Sequence, residues 1–221
     1  PGGSNDVVGR IVMQKVGESL GQQFVVDNRP GASGAIGSEP VAKALPDGYT
    51  VMVHSTTHLG NQHLYKKLPY DVVRDFAPVG TLAAQPGALA IHPSLPVKSV
   101  KELIAFAKAR PGKLNYSMAS AGSSTQMAPE LFKALAGLNI TAVPYKGAAS
   151  SLNALIGGVV DMAFPAAASM IPYLNSPKLR PLAGTTLEPS PLTPGLPKLA
   201  SQGFPGFEAG AFYGFFAPAG T

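Results

Sequence analysis

Three loops rich in glycine and hydroxyl residues each run straight into an apolar pattern of helical spacing, and this arrangement constrains the fold more than any other feature. Pro1-Gly2-Gly3-Ser4-Asn5-Asp6 precedes Val7, Val8, Ile11, Val12, Val16 and Leu20. Ala119-Ser120-Ala121-Gly122-Ser123-Ser124-Thr125 precedes Met127, Ala128, Leu131, Phe132 and Leu135. Lys146-Gly147-Ala148-Ala149-Ser150-Ser151 precedes Leu152, Leu155 and Ile156. A helix start exposes unpaired amides and the positive end of the helix dipole. Glycine lets an anion approach that backbone, and hydroxyls add donors. Ser and Gly also cap helices that bind nothing. Three such starts in one short chain point to a site for carboxylate or phosphate.

Between these loops the chain alternates helix and strand. Helices are expected near 5–20, 34–44, 58–65, 99–109, 124–136, 148–156 and 168–174. Ser99 with Glu102 three residues on forms a capping-box signature. Strands are expected at 23–27, 49–54, 79–91 (broken by Gln85-Pro86-Gly87), 114–117, 140–143, 159–164, 180–184 and 211–217. The stretch 188–207 is rich in Pro and Gly and carries no regular pattern. This is the rhythm of an α/β fold whose sheets are rich in parallel pairs and flanked by helices. Ligands of such sheets bind beyond the carboxyl ends of the strands.

A length of 221 residues allows one large domain or two small ones. Hydrophobic residues make up 45% and charged residues 13%, yet no apolar run reaches the ~18 residues of a membrane span. The net charge of +5 suits an anionic ligand. Lys and Arg are scattered, with Lys66-Lys67 the one adjacent pair, and no recognition-helix or aromatic-platform pattern accompanies them, so nucleic acid is not an expected partner. Zinc-finger, disulfide and thiol chemistry are excluded because the chain has no cysteine.

Catalytic motifs are missing. There is no Gly-x-x-x-x-Gly-Lys phosphate loop and no Gly-x-Ser-x-Gly elbow, and Gly31, Gly34 and Gly37 lack the dinucleotide spacing. His54 and His58 have ligand-like spacing, but no Glu or Cys supports them, so pocket lining or a surface position is the expectation for both. The aspartates Asp6, Asp27, Asp47, Asp71, Asp75 and Asp161 sit singly and suit caps or turns. No cofactor or metal is expected. Two function classes stay open: a non-catalytic receptor for a small carboxylate, or an α/β enzyme that uses Lys146 or a histidine on a small anionic metabolite.

Several longer motifs then carry a resemblance. They are Pro1-Gly2-Gly3-Ser4-Asn5-Asp6 with Arg10, Val25-Val26-Asp27-Asn28-Arg29-Pro30-Gly31-Ala32, and Pro46-Asp47-Gly48-Tyr49-Thr50. Further along stand Leu64-Tyr65-Lys66-Lys67-Leu68-Pro69-Tyr70-Asp71, Asp75-Phe76-Ala77-Pro78, Pro111-Gly112-Lys113-Leu114-Asn115-Tyr116, Val143-Pro144-Tyr145-Lys146-Gly147 and Phe216-Ala217-Pro218-Ala219-Gly220-Thr221. In this order, and over essentially the whole chain, the sequence resembles the Bug-type extracytoplasmic solute receptors of tripartite tricarboxylate transporters.

The resemblance implies a two-lobed type II periplasmic binding fold that closes on a small carboxylate. It places residues 1–86 and 207–221 in the first lobe and 87–206 in the second, joined by a hinge of two crossing strands near Gln85-Pro86-Gly87 and Gly210-Ala211-Phe212. It also implies a strand ahead of the Pro-Gly-Gly turn and a longer carboxyl-terminal helical segment, which leaves the first lobe incomplete within these residues. A periplasmic location reached by a signal peptide, a monomeric state and a membrane transporter as partner are implied as well.

For the ligand site the resemblance implies Gly3, Ser4 and Asp6 as a first-lobe anion loop, with Asp6 suited to a cap, and Ser55, Thr56 and Thr57 as cleft lining. In the second lobe it implies Ala121, Gly122, Ser123 and Ser124 as the principal carboxylate cradle. Lys146, Gly147, Phe164 and Thr185 join them, and Phe212 and Tyr213 form an aromatic wall at the hinge. Receptors for amino acids are expected to carry acidic residues after the strand ending at Phe164, whereas this chain reads Pro165-Ala166-Ala167-Ala168. A ligand ammonium would have no partner there. The expected ligand therefore has no amine: a dicarboxylate, or an aromatic or hydroxy monocarboxylate.

Overall fold

A computed structural model describes residues 4–174 and 176–221. In chain order its elements begin with helix α1 (Ser4–Leu20), helix α2 (Ala35–Ala42), strand β1 (Met52–Ser55), helix α3 (Thr57–Leu64), strand β2 (Phe76–Pro86) and strand β3 (Ala88–Ile91). Helix α4 (Val100–Lys108), strand β4 (Asn115–Met118), helix α5 (Ser124–Ala136), strand β5 (Thr141–Pro144) and helix α6 (Ala148–Ile156) follow. The chain ends with strand β6 (Met162–Ala163), helix α7 (Ala167–Met170), strand β7 (Arg180–Gly184) and strand β8 (Gly210–Pro218). It divides into two units, Pro1–Ala84 with Phe212–Thr221, and Gln85–Ala211.

The larger unit is built on a five-stranded sheet of order β5-β4-β6-β3-β7. All four residues of β3 are buried, as expected of a strand covered on both faces. Helical spacing decides what covers the sheet: Val100, Leu103 and Ala107 are the buried residues of α4, and Ala128, Phe132 and Ala136 lie along the buried face of α5. Leu89, Ile91, Tyr116, Phe164, Leu182, Leu199 and Phe207 complete that core, while α6 contributes Leu152 and Leu155 to a second cluster with Ala88, Ala90 and Met170. The Ser99 Oγ caps α4 by accepting the Glu102 amide, and the Glu102 carboxylate accepts the Lys98 amide, one residue ahead of the cap itself.

The smaller unit has a three-stranded sheet, β1-β8-β2, in which β1 runs antiparallel to β8 with Met52 opposite Phe216 and Ser55 opposite Tyr213. Its core is Ala35, Val41, Met52, Tyr70, Val72 and Phe76. Inside it, the buried His58 ring packs against Tyr70, Phe76 and Phe216 at centroid distances of 6.0, 4.6 and 5.1 Å.

Three local expectations fail for identifiable reasons. No strand forms at 23–27: the run has no ladder partner among the described residues, and Val25 is 95% exposed. The strand expected over 159–164 shortens to Met162–Ala163 because the preceding residues close the end of α6, with the Gly158 amide on Leu155 and the Val159 amide on Ala154. The helix expected over 168–174 is α7 followed by a 3₁₀ turn, Ile171–Tyr173, in which Pro172 supplies no amide. The larger sheet is also mixed, since β3 runs antiparallel to both of its neighbours.

Candidate functional site

Strand direction places the loops of the larger unit. β4 is parallel to β5 and to β6, and β3 is antiparallel to β6 and to β7. The carboxyl ends of β4, β5, β6 and β7 therefore share one edge of the sheet with the amino end of β3. The bridge between Gly87 and Ala166 and the pairing of Ala88 with Gly184 close this edge. Every second-lobe residue that the sequence suggests follows one of these strand ends: Ala121 to Ser124 after β4, Lys146 and Gly147 after β5, Phe164 after β6 and Thr185 after β7.

A narrow cleft opens at this edge. Ser124, Phe164 and Thr185 line it. Most of the remaining wall is backbone and small side chains from Gln85-Pro86-Gly87, Pro165-Ala166 and Ala209-Gly210, with Ala128 behind. The sequence marks 85–87 as a break and, with 210–212, as hinge strands rather than as cleft walls. Among the described residues, nothing that lines the cleft is acidic or basic.

The loop after β4 is held by its own hydroxyls. Ser123 Oγ donates to the Ser120 carbonyl at 2.7 Å and lies 2.7 Å from Thr125 Oγ1, which accepts the Ala119 amide at 2.9 Å. The Gly122 amide donates to the Gln126 side chain at 2.7 Å. The Ser123 carbonyl accepts the amides of Gln126 and Met127, so the first helical turn leaves the amides of Ser124 and Thr125 for an outside acceptor. Ser123 thus shapes the loop, and Ser124 stands at the cleft. Ala121, Gly122, Ser123, Lys146 and Gly147 occupy the same edge without lining the cleft; Lys146 is exposed, and the Gly147 amide meets the Ala119 carbonyl at 3.4 Å.

The Thr185 hydroxyl accepts the Gly87 amide at 3.1 Å and donates to the Ala209 carbonyl, while the backbone of Thr185 bonds both neighbours again. Between β4 and α5 the buried Tyr116 hydroxyl donates to Glu130 Oε1 at 2.5 Å, and Lys133 reaches the same oxygen at 2.7 Å. Burial, then the hydrogen bond and charge of Glu130, push the Tyr116 hydroxyl well above its ordinary pKa.

The smaller unit holds its own cleft, about 210 Å³, between the end of β1 and the strands β2 and β8. Ser55, Thr56, Thr81, Phe212 and Tyr213 line it; Thr57 does not, although its hydroxyl accepts from Ser55 Oγ at 3.2 Å. Phe212 is 44% exposed and Tyr213 is buried. The Thr56 amide donates to the Phe212 carbonyl at 3.0 Å, which fixes the hydroxyl loop to β8. Ser4 begins α1 and is exposed. Asp6 accepts from Arg10 Nε at 2.8 Å and Asn28 Nδ2 at 3.0 Å and so ties α1 to the following loop. Gly3, with Pro1 and Gly2, lies outside the described residues.

His54 and His58 form a buried pair with ring centroids 5.3 Å apart. Loss of solvent, and secondarily the neighbouring His58, depress His54 to a pKa of about 4; burial lowers His58 as well. Both are neutral near pH 7. Gly34 makes room for this pair: its φ is +87°, and a Cβ there would meet His54 Nε2 at 2.0 Å. No group of three His, Cys, Asp or Glu suited to a metal occurs among the described residues.

Comparison with known proteins matches this architecture to one family. Residues 8–221 match the model of the tripartite tricarboxylate transporter family receptor. The chain is 38% identical over 222 residues to the UPF0065 protein in the tcbD-tcbE intergenic region of Pseudomonas sp. (strain P51), and 36% identical over 223 residues to protein BugT of Bordetella pertussis. All of this chain is covered in both alignments, and it spans 66% and 68% of those relatives' lengths. Among solved structures, R. palustris Rpa4515 with adipate shares 40% identity at a TM-score of 0.83, covering 100% of this chain and 74% of that one. MatC from Rhodopseudomonas palustris with bound malate shares 32% identity at 0.82, covering 100% and 76%. The fold is thus that of the periplasmic binding proteins, and the chain belongs to the tripartite tricarboxylate transporter receptor family, a family of solute-binding receptors and not of enzymes.

Proposed function

We propose that this chain captures a small carboxylate without an amine, a dicarboxylate or an aromatic or hydroxy monocarboxylate, in the periplasm and as a monomer delivers it to a membrane transporter. The observation that carries the reading is the wall of the larger unit's cleft. Ser124 and the first-turn amides of α5 offer donors to an anion, and among the described residues no side chain lining the cleft carries charge. A carboxylate entering there exchanges water for amide and hydroxyl donors. An ammonium would lose its water with no carboxylate in return, a cost of about 2 kcal/mol or more for an unpaired polar group and higher for a full charge. The adipate held by Rpa4515 and the malate held by MatC are acids of this kind, and both proteins share this fold.

The hydroxyls of Ser55, Thr56 and Thr81 beside Phe212 and Tyr213 give the smaller unit an amphipathic cleft of its own. Ser4, Asp6 and Thr57 enter the proposal as supports of that unit's loops, and Ala121, Gly122, Ser123, Lys146 and Gly147 as supports of the carboxylate loop.

A thermal-shift titration with adipate, malate, benzoate and the matching amides and amino acids tests this reading. A concentration-dependent rise with one acid, and none with its amide, is the expected result. A rise with amino acids and none with simple acids overturns it.

A further inference from the structure

The chain passes between its two units twice, at 84–85 and at 211–212, and next to both passages one side chain touches the backbone. Thr185 is 1% exposed and follows β7 directly. Its Oγ1 accepts the Gly87 amide, two residues inside the first passage. The same hydroxyl donates to the Ala209 carbonyl, two residues inside the second. Backbone bonds repeat both links, from the Thr185 amide to the Gly87 carbonyl and from the Ala209 amide to the Thr185 carbonyl. The two segments also lie too close for a side chain between them: a Cβ on Gly210 would meet the Gln85 carbonyl oxygen at 2.8 Å, and one on Gly87 would meet Thr185 Oγ1 at 3.1 Å.

A hydroxyl has one proton. At Thr185 that proton goes to Ala209, so none is left for a carboxylate, although the residue stands in the cleft wall. We propose that Thr185 is a positioning residue: its hydroxyl ties both chain passages to the larger unit and thereby holds Gly87 and Ala209, two walls of the cleft, at one spacing. Serine keeps the proton and the acceptor. Valine keeps the shape and removes both, leaving the half-buried Gly87 amide and Ala209 carbonyl each short of one bond.

The ligand arm of the test rests on the carboxylate reading above; the exchange arm does not. Hydrogen exchange of the Gly87 amide is measured in ligand-free wild type, Thr185→Val and Thr185→Ser, and the acid identified by thermal shift is titrated into each. The expected result is exchange at Gly87 faster by about tenfold or more in Thr185→Val, with wild-type protection in Thr185→Ser. The acid's Kd rises by about tenfold in the valine variant alone. Unchanged Gly87 exchange in Thr185→Val overturns the proposal, as does faster exchange with an unaltered Kd. General loss of protection in both variants, including amides of β3, reduces Thr185 to a packing residue and overturns it too. If wild type binds no acid, the function reading fails, and the Gly87 comparison still decides whether the tie exists.

Discussion

The two units solve the same stability problem by different means. The larger covers a five-stranded sheet on both faces and buries an apolar core of Leu, Ile, Val and Phe. The smaller buries a cluster around Met52, Tyr70, Val72 and Phe76 against a three-stranded sheet and adds polar side chains: His54, His58, Asn61 and Ser38 are all buried there. Its apolar residues also reach the surface, with Val25 at 95% and Tyr49 at 93% exposure. Apolar burial contributes in proportion to area, whereas a buried polar group adds little beyond satisfying its own hydrogen bonds. The larger unit should therefore tolerate changes of pH and lose most from cavities; the smaller should be acid-sensitive.

The strongest way to break this contrast is Phe132→Ala. Phe132 is fully buried between Phe164 and Phe204, with ring centroids 5.8 and 5.2 Å away. Removal of a core Phe costs about 3–5 kcal/mol. Urea unfolding followed by fluorescence and by hydrogen exchange should show that loss in the larger unit's transition. A loss below about 1 kcal/mol would mean that the ring is not the centre of a close-packed core.

The smaller unit is tested by acid. The folded pKa of His54, about 4, lies below the ordinary 6.5 because the buried ring resists charge, first through lost solvation and then through His58. Between those values the unfolded chain binds more protons than the folded one, so stability rises with pH across that window. It is fully present above pH 6.5 and is lost as the pH falls toward 4, by roughly 3 kcal/mol for a shift of this size. His58 is lowered in the same sense. The larger unit has His92 at its surface edge, half-buried, and its perturbed carboxylate, Glu130, is depressed, so that contribution is lost only as the pH falls below the ordinary carboxylate range. Urea midpoints measured from pH 7.5 to 5 should fall for the smaller unit and stay flat for the larger. Parallel slopes would remove the distinction.

Legibility in the sequence follows the same division. Helices α5 and α6 begin and end where local pattern puts them, because each carries its own signals: a Ser or Gly start, apolar spacing, and a glycine at the end. Residues 23–27 have the alternation of a strand, but a strand needs a partner that local sequence does not supply. The site divides likewise. Ser124, Phe164 and Thr185 were legible because they follow strand ends, where α/β sheets place ligands. Gly87 and Ala209 were not legible as walls, since a glycine and an alanine carry no polar side chain that local sequence could mark. His54 lines the smaller unit's cleft, as its expected pocket position has it, whereas the place of His58 in the core shows only in its packing on Tyr70 and Phe76.

The smallest effect sharpens the contrast where it is weakest, at a surface helix start. Ser99 is the cap of α4, accepting the Glu102 amide at 3.2 Å, and Glu102 returns a bond to the Lys98 amide at 2.7 Å. Removing a serine cap costs about 1 kcal/mol. In Ser99→Ala the Glu102 link survives, so the amide of Lys98 stays paired and only one donor is exposed, at an end already open to water. Val100, Leu103 and Ala107 continue to hold the helix against the sheet. The larger unit should lose about 1 kcal/mol or slightly less, with an unchanged urea m-value, and faster hydrogen exchange should stay within the first turn of α4. A drop in m-value would show instead that the cap is coupled to the core, and a unit held by apolar burial should not behave in that way.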